Sequence, residues 1–208
     1  MIRAARVLAA LVTAGLLAGL AACSSTTAGH GGKTSVPATG PAAEALAGTW
    51  VPATDAETGI RFSLPGAPEK TGVPAFSPSV DRRRYQVQVD QVVEVTVYVD
   101  SGATEPARFP PPDTIADLFV AGMRADGNTD VRTLERRNAS VQGRPAVDIR
   151  LTYTPKRPAR GHPVLFLRVV QTPTAVVELQ TFTSLGAAAT LPTLQSLQAK
   201  LVAGLKLA

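Results

Sequence analysis

The chain has 208 residues, of which 45% are hydrophobic and 18% are charged, and its formal net charge is +5. This is the composition of a globular protein, and it excludes wholesale disorder and a protein with several membrane spans. The sequence holds 17 Gly and 17 Pro without a repeat, one Cys and two His. These counts exclude a collagen-like chain, a disulfide framework and a Cys/His metal cluster, and no motif predicts a cofactor.

Residues 1–22 have the layout of a secretory signal peptide. Arg3 and Arg6 precede an apolar run from Val7 to Leu20, and the small residues Ala21 and Ala22 follow it. The alternative is a transmembrane helix, but the run is at the lower length limit for crossing a bilayer and is rich in Ala and Gly. We therefore expect the segment to be a signal peptide.

The segment Leu20-Ala21-Ala22-Cys23 resembles the bacterial lipobox at every position. This resemblance implies cleavage before Cys23 and attachment of palmitate-type acyl chains to that residue. Two or three such chains give stable membrane attachment, whereas one chain gives only marginal binding. The sequence thus predicts a lipoprotein on the extracytoplasmic face of the cell membrane, with an ordinary signal peptide and an incidental Cys as the alternative.

The next segment, residues 23–51, is predicted to be the lipidated Cys and a flexible tether. Most of its residues are Ser, Thr, Gly, Ala or Pro, which bury too little apolar surface to offset the entropy of ordering. Trp50 is expected to pack on the edge of the domain that follows. That domain, residues 52–208, is long enough to form one hydrophobic core.

Three pairs of stretches with alternating apolar residues predict antiparallel hairpins. In the first pair, a three-residue loop places Val87 opposite Val95 and keeps one face apolar, whereas a two-residue loop mixes the faces. The second pair turns at Gln142-Gly143. The third pair, Val164 to Thr183, turns at Thr172-Pro173-Thr174.

Two segments have helical spacing instead. Ile115, Leu118 and Phe119 follow the helix start Pro112-Asp113. A stripe of leucines occupies the C-terminal segment, at positions 191, 194, 197, 201 and 205. The order of elements predicts an α+β fold with a single antiparallel β-sheet of about six to seven strands and two main helices packed on it.

This order, the segment from Phe62 to Pro68 and the turn at Gly143-Arg144-Pro145-Ala146 resemble bacterial envelope proteins with the PsbP/Mog1-like fold. The resemblance covers about residues 58–207. Abundant Arg and Ala, together with the lipobox and tether, are similar to the Lpq-type lipoproteins of actinobacteria. The resemblance implies fold and envelope location, and it supplies no catalytic residues to transfer.

Catalytic and metal-binding motifs are scarce. Cys23 is assigned to lipid, and His162 is the only base near the folded domain. We therefore expect no enzyme, with an unrecognised hydrolase as the residual alternative. The segment from Asp126 to Asp130 matches the first three ligand positions of a calcium loop, but Val131 and Arg137 stand where Gly and Glu are required. A helix C-cap explains this segment better, so no metal site is predicted.

Basic residues cluster at Lys156, Arg157 and Arg160, in a proline-containing loop without acidic residues. Shorter clusters lie at Arg82-Arg83-Arg84 and Arg136-Arg137. Solubilising charge is one interpretation of all three clusters. The alternative, for the loop, is contact with anionic lipid head groups or anionic wall polymer. Nucleic acid is not an expected partner of an exported, mildly basic protein.

The sequence favours a non-enzymatic binding or accessory module at the cell envelope, with an envelope protein, anionic lipid or wall polymer as partner. The alternative is a carrier or sensor of a small hydrophobic ligand. A carrier requires an apolar cavity between sheet and helices, whereas an interaction module requires a packed core and a surface site.

The anchor prediction is tested by Cys23→Ala. Because the lipobox has no other acyl acceptor, the variant should lose labelling by a fatty-acid analogue and should no longer be retained stably in the membrane. In-gel detection of the label and fractionation measure these properties. Unchanged labelling would contradict the lipobox assignment.

Overall fold

The computed structural model describes residues 41–73, 79–89, 93–102, 109–156, 163–184 and 191–208. These residues form three helices, α1 (Pro41–Ala47), α2 (Pro112–Ala125) and α3 (Leu191–Gly204). They also form nine strands, β1 (Val51–Thr54), β2 (Arg61–Leu64), β3 (Glu69–Val73), β4 (Val80–Gln88), β5 (Val93–Gly102), β6 (Thr129–Val141), β7 (Arg144–Thr154), β8 (Val164–Gln171) and β9 (Ala175–Thr183).

Seven strands form one antiparallel sheet in the order β3-β4-β5-β9-β8-β7-β6, and β1 and β2 form a second sheet. The α+β class and the antiparallel sheet agree with the prediction, but the single sheet was wrong. The four-residue strands β1 and β2 pair with each other. Phe62 and Leu64 of β2 point into the core, so this small sheet packs face-on against the large one instead of extending it.

The predicted hairpin registers are present. Val87 lies opposite Val95, and the Val89 N–H donates to the Val93 carbonyl over 2.9 Å. The second hairpin turns at Gln142 and Gly143, with φ of 51° and 77°. Two consecutive positive φ angles give the twist that a tight hairpin requires. The strands β8 and β9 also pair as predicted.

One face of the large sheet, named here the α3 face, is covered by α3 and by the β1-β2 sheet. The helix buries the predicted stripe, since Leu194, Leu197 and Leu201 are fully buried and Leu205 continues the stripe beyond the helix end. These side chains contact a layer that includes the inward valines of β5. The layer consists of Val93, Val95, Val97 and Val99.

The opposite face, named here the α2 face, is covered by α2 over the strands β6, β7 and β8. Ile115 and Met123 pack there with Val147 and Ile149 of β7. Pro112 occupies the first turn of α2, where its missing N–H costs no hydrogen bond.

Helix α2 ends in a Schellman cap at Gly127, whose φ is 90°. The Gly127 N–H donates to the Arg124 carbonyl over 3.0 Å, and the Asn128 N–H donates to the Met123 carbonyl over 3.2 Å. This geometry confirms the interpretation of Asp126 to Asp130 as a helix C-cap followed by a turn.

Part of the segment predicted to be tether lies against the domain. Helix α1 packs on α3, and the Lys200 ammonium donates to the Leu46 carbonyl over 2.7 Å. Trp50 donates to the Ala45 carbonyl over 2.9 Å, and Lys200 lies over its ring. Trp50 thus packs at the domain edge as expected, and α1, which lies within the predicted tether, also contacts the domain.

Two of the three arginines of β4, Arg82 and Arg83, form ion pairs with buried carboxylates, which the interpretation as solubilising charge did not anticipate. Because Arg83 and Arg82 are adjacent in a strand, they point to opposite faces. On the α3 face, Arg83 Nε donates to Asp55 over 2.6 Å, and the Tyr85 hydroxyl donates to the same carboxylate over 2.8 Å. Burial favours the neutral acid, but these hydrogen bonds and those from Thr58 hold the pKa of Asp55 below its usual value.

On the α2 face, Arg82 lies between two buried carboxylates. It donates to Glu178 over 2.8 Å and to Asp100 over 3.3 Å, and its guanidinium lies on the Tyr98 ring. Burial raises the pKa of Asp100 to about 7 against the attraction of Arg82, and the negative charge of Glu178 adds to the rise. One arginine therefore does not fully compensate two carboxylates.

The leucine stripe is tested by Leu197→Ala and Leu201→Ala in the full chain. Each change removes a fully buried side chain and leaves a cavity beside the sheet, so each should lower the free energy of unfolding by about 2–5 kcal/mol. Denaturant titration measures the effect. The control Leu118→Ala removes a side chain that is 40% exposed and should change stability by less than about 1 kcal/mol. Equal losses in all three variants would contradict this packing.

The group of Arg82, Asp100 and Glu178, named here the Arg82 cluster, predicts that folding stability depends on pH. Because the folded state raises the pKa of Asp100, it binds a proton that the unfolded chain releases above about pH 4. The stabilisation of the folded state by this proton is complete below about pH 4 and is lost as pH rises through about 7. The free energy of unfolding should therefore decline over that window, and Asp100→Asn should flatten the decline. Urea titrations at several pH values measure the slope. Asp81→Asn, at an exposed position of β4, should retain it.

Candidate functional site

A cleft of about 350 Å³, named here the α3 cleft, opens on the α3 face between α3 and the strands β6, β7 and β8. It forms where the helix no longer covers the sheet. Alternation along β7 sends Val147 and Ile149 to the α2 core and leaves Asp148 and Arg150 on this side. The cleft therefore has a charged floor on a strand whose other face is apolar.

Five charged residues from three neighbouring strands line the cleft. They are Glu135 and Arg137 of β6, Asp148 and Arg150 of β7, and Arg168 of β8. In the strand register, Asp148 lies opposite Arg137 of β6 and opposite Arg168 of β8. Glu135 of β6 lies opposite Arg150 of β7. Three guanidinium groups thus meet two carboxylates, and one positive charge is left over.

Asp148 holds two of the arginines. Arg168 donates to it through Nε and also through Nη2, the latter over 2.6 Å, and Arg137 Nε donates over 3.0 Å. Burial favours the neutral acid, but the hydrogen bonds from Arg168 and Arg137 hold the pKa of Asp148 below its usual value. Asp148 is therefore ionised at neutral pH, and both of its carboxylate oxygens accept hydrogen bonds from arginine.

Arg150 is held less well. Its Nη1 lies 3.8 Å from Glu135, which is beyond hydrogen-bond distance. Its Nε is enclosed and has no hydrogen-bond partner among the described residues. The guanidinium carbon lies 6.0 Å from the centre of the Phe166 ring. Arg150 is thus the cation of the cleft with unused donors.

Helix α3 supplies the opposite wall. Gln198 is fixed to β9, because it accepts from the Thr181 hydroxyl over 2.6 Å and donates to the Leu179 carbonyl over 3.1 Å. Gln195 and Ala199, on the same side of the helix, are exposed. The wall therefore offers the exposed amide of Gln195 and the small apolar side chain of Ala199.

The Arg82 cluster is a weaker candidate site. It contains two neighbouring carboxylates, and sequence reasoning could not select these two among all carboxylates because β5 and β9 are distant in the chain. Asp100 and Glu178 have side chains only 1% and 4% exposed. The cluster is therefore closed to a ligand, whereas the cleft is open.

Several residues singled out from the sequence lie outside the described part of the chain, namely Cys23, Arg157, Arg160 and His162. Lys156 is described and exposed, and its backbone N–H donates to Asn128 over 3.3 Å. The structure thus leaves both the lipid site and the basic loop as predictions.

Within the described residues, no group of three or more His, Cys, Asp or Glu side chains is arranged to hold a metal ion. No helix in the same part of the chain has the length and apolar character needed to span a membrane.

The cleft itself was missed from the sequence. Asp148 and Arg150 lie at polar positions of the alternating stretch that follows the Gln142-Gly143 turn, and Arg137 belongs to the Arg136-Arg137 pair. The available signal was that charge of both signs occupies the polar positions of neighbouring strands, a pattern that indicates ion pairing across a sheet.

No protein-family model matches the chain, and no curated protein matches it either. Among solved structures, the chain is similar to cyanobacterial PsbP (CyanoP) from Synechocystis sp. PCC 6803, with a TM-score of 0.54 and 12% identity over 86% of this chain and 98% of that chain. A protein of unknown function from Pseudomonas aeruginosa, PA94, a putative regulator, aligns at 16% identity with a TM-score of 0.37 over 70% of this chain and 88% of that one. At such identities the likeness to CyanoP concerns architecture alone, and the chain has a PsbP-like fold.

Proposed function

We propose that this chain is a non-enzymatic binding module, held by lipid on Cys23 at the extracytoplasmic face of the cell membrane, and that it binds its partner through the α3 cleft. The observation that carries the proposal is the cleft lined by Glu135, Arg137, Asp148, Arg150 and Arg168. Grouped charges in a concave, solvent-open site favour specific recognition over mere solubility.

The arrangement favours binding over chemistry. Both carboxylate oxygens of Asp148 accept hydrogen bonds from arginine, so it is a poor general base. Glu135 lies near Arg137 and Arg150 at 3.8 Å and is half exposed. Neither carboxylate is paired with a nucleophile in the described part of the cleft, and recognition of a polar partner is the simpler role.

The alternative of a carrier for a hydrophobic ligand receives less support. A carrier needs an enclosed apolar cavity, and the cleft is open and has a charged floor. The described core between sheet and helices is filled by side chains such as Leu194, Leu197 and Leu201. We therefore favour the interaction module.

The proposal is tested by photocrosslinking of the full chain in intact cells. The probe position is Gln195, where a photoreactive residue lines the cleft. The control position is Ser196, the next residue of the same helix, which is also exposed but does not line the cleft. We expect a discrete adduct from position 195 and a much weaker one from position 196. Adding Cys23→Ala should abolish the adduct, since the unanchored chain no longer meets an envelope partner.

Two results would contradict the proposal. Equal adducts from both positions would show that the cleft has no special role. An undiminished adduct with Cys23→Ala would show that binding does not depend on the anchor.

A further inference from the structure

We propose that the α3 cleft binds the carboxylate of a small organic molecule, with Arg150 as its principal partner. The inference rests on the proposed binding function and assigns the chemical class of the ligand. Among the arginines of the described cleft, Arg137 and Arg168 donate to Asp148, whereas the Arg150 guanidinium makes no hydrogen bond to the described residues.

The charge balance selects a monoanion. Asp148 forms ion pairs with both Arg168 and Arg137. Glu135 is the other carboxylate of the cleft, so three arginines and two carboxylates leave a net charge of +1. Glu135 lies 3.8 Å from both Arg137 and Arg150, which leaves neither pair hydrogen-bonded. A ligand with one negative charge neutralises the cleft. A dianion brings a second negative charge next to Asp148 and Glu135, which like-charge repulsion disfavours.

The geometry of Arg150 suits a carboxylate. The side chain is 27% exposed and lines the cleft, and its Nε is enclosed, so the terminal Nη groups are the donors that a ligand can reach. The guanidinium carbon lies 6.0 Å from the centre of the Phe166 ring, at the outer limit of a cation–π contact. A planar guanidinium presents two parallel N–H donors at the spacing of the two carboxylate oxygens, a bidentate pairing that Glu135 does not make at 3.8 Å.

The α3 wall indicates what else the ligand carries. Ala199 and the half-buried Val202 offer apolar contact, and the exposed Gln195 amide offers an NH₂ group as donor and a carbonyl oxygen as acceptor. The volume of about 350 Å³ is near the lower end of the range for small-molecule sites, about 300–1,000 Å³. The ligand is therefore a small carboxylic acid with a short apolar body.

The test uses 4-fluorobenzoate and its neutral analogue 4-fluorobenzamide, observed by fluorine NMR with the purified full chain. We expect a saturable shift or broadening with the benzoate and an affinity for the benzamide at least about tenfold weaker, because only the benzoate supplies the charge. This comparison uses the unaltered protein, so it does not depend on the folding of a variant. No saturable change with the benzoate, or equal affinity for the two probes, would overturn the proposal.

Substitution then assigns the site. Arg150→Gln should weaken binding of 4-fluorobenzoate by about tenfold or more, whereas Arg144→Gln, an exposed position at the start of the same strand, should leave it unchanged. Thermal unfolding verifies that both variants are folded. An unchanged affinity in Arg150→Gln would overturn the assignment to this cleft.

Two competitors separate the carboxylate from other anions. Inorganic phosphate and vesicles of phosphatidylglycerol with phosphatidylcholine should displace 4-fluorobenzoate only weakly. If either competitor displaced 4-fluorobenzoate at a lower concentration than unlabelled benzoate does, the ligand would be a phosphate-containing molecule and the carboxylate proposal would be wrong. Failure of crosslinking at position 195 with intact benzoate binding would refute the proposed contact with an envelope partner and leave this inference standing.

Discussion

The seven-stranded sheet is wider than the elements that cover it, and the remaining features of the structure depend on this mismatch. Seven strands spaced about 4.8 Å apart span roughly 29 Å, whereas a helix with its side chains is about 10 Å wide. One helix therefore covers about two or three strands. On the α2 face the helix lies over β6 to β8, and on the α3 face α3 and the β1-β2 sheet lie towards β4, β5 and β9. The strands β6 to β8 thus keep a part of the α3 face open, and polar residues occupy it.

Charges on a partly covered sheet surface must be paired, because partial burial removes water without supplying a partner. The chain meets this requirement in two ways. On β4, adjacent Arg82 and Arg83 enter opposite faces, and each meets carboxylates from other parts of the chain. In the cleft, Asp148 takes two arginines and leaves Arg150 with Glu135 at 3.8 Å. The two sites differ in the exposure of their carboxylates: Asp100 and Glu178 are almost fully enclosed beside Arg82, whereas Glu135 beside Arg150 is 43% exposed at the rim of the cleft.

Local features of the fold could be predicted from the sequence. Alternation along β4 and β5 gave the pairing of Val87 with Val95, and the spacing of leucines gave the buried side of α3, because both depend on residues close in the chain. The separate β1-β2 sheet could not be predicted, since a short strand has the same pattern whether it extends a sheet or packs on its face. The cleft could not be predicted either. Its residues come from three strands and a helix between Glu135 and Val202, and only the order of strands in the sheet brings them together.

The position of α1 relates the cleft to the predicted anchor. Helix α1 follows the segment that would carry the lipid, and it lies on the side of α3 that presents Lys200 to the Leu46 carbonyl. The cleft lies on the side that presents Gln198. At 100° per residue, positions 198 and 200 are about 200° apart around a helix, so the chain reaches α3 on the flank opposite the cleft. A lipid anchor attached before α1, as proposed, would enter on that flank and would leave the charged floor of the cleft accessible.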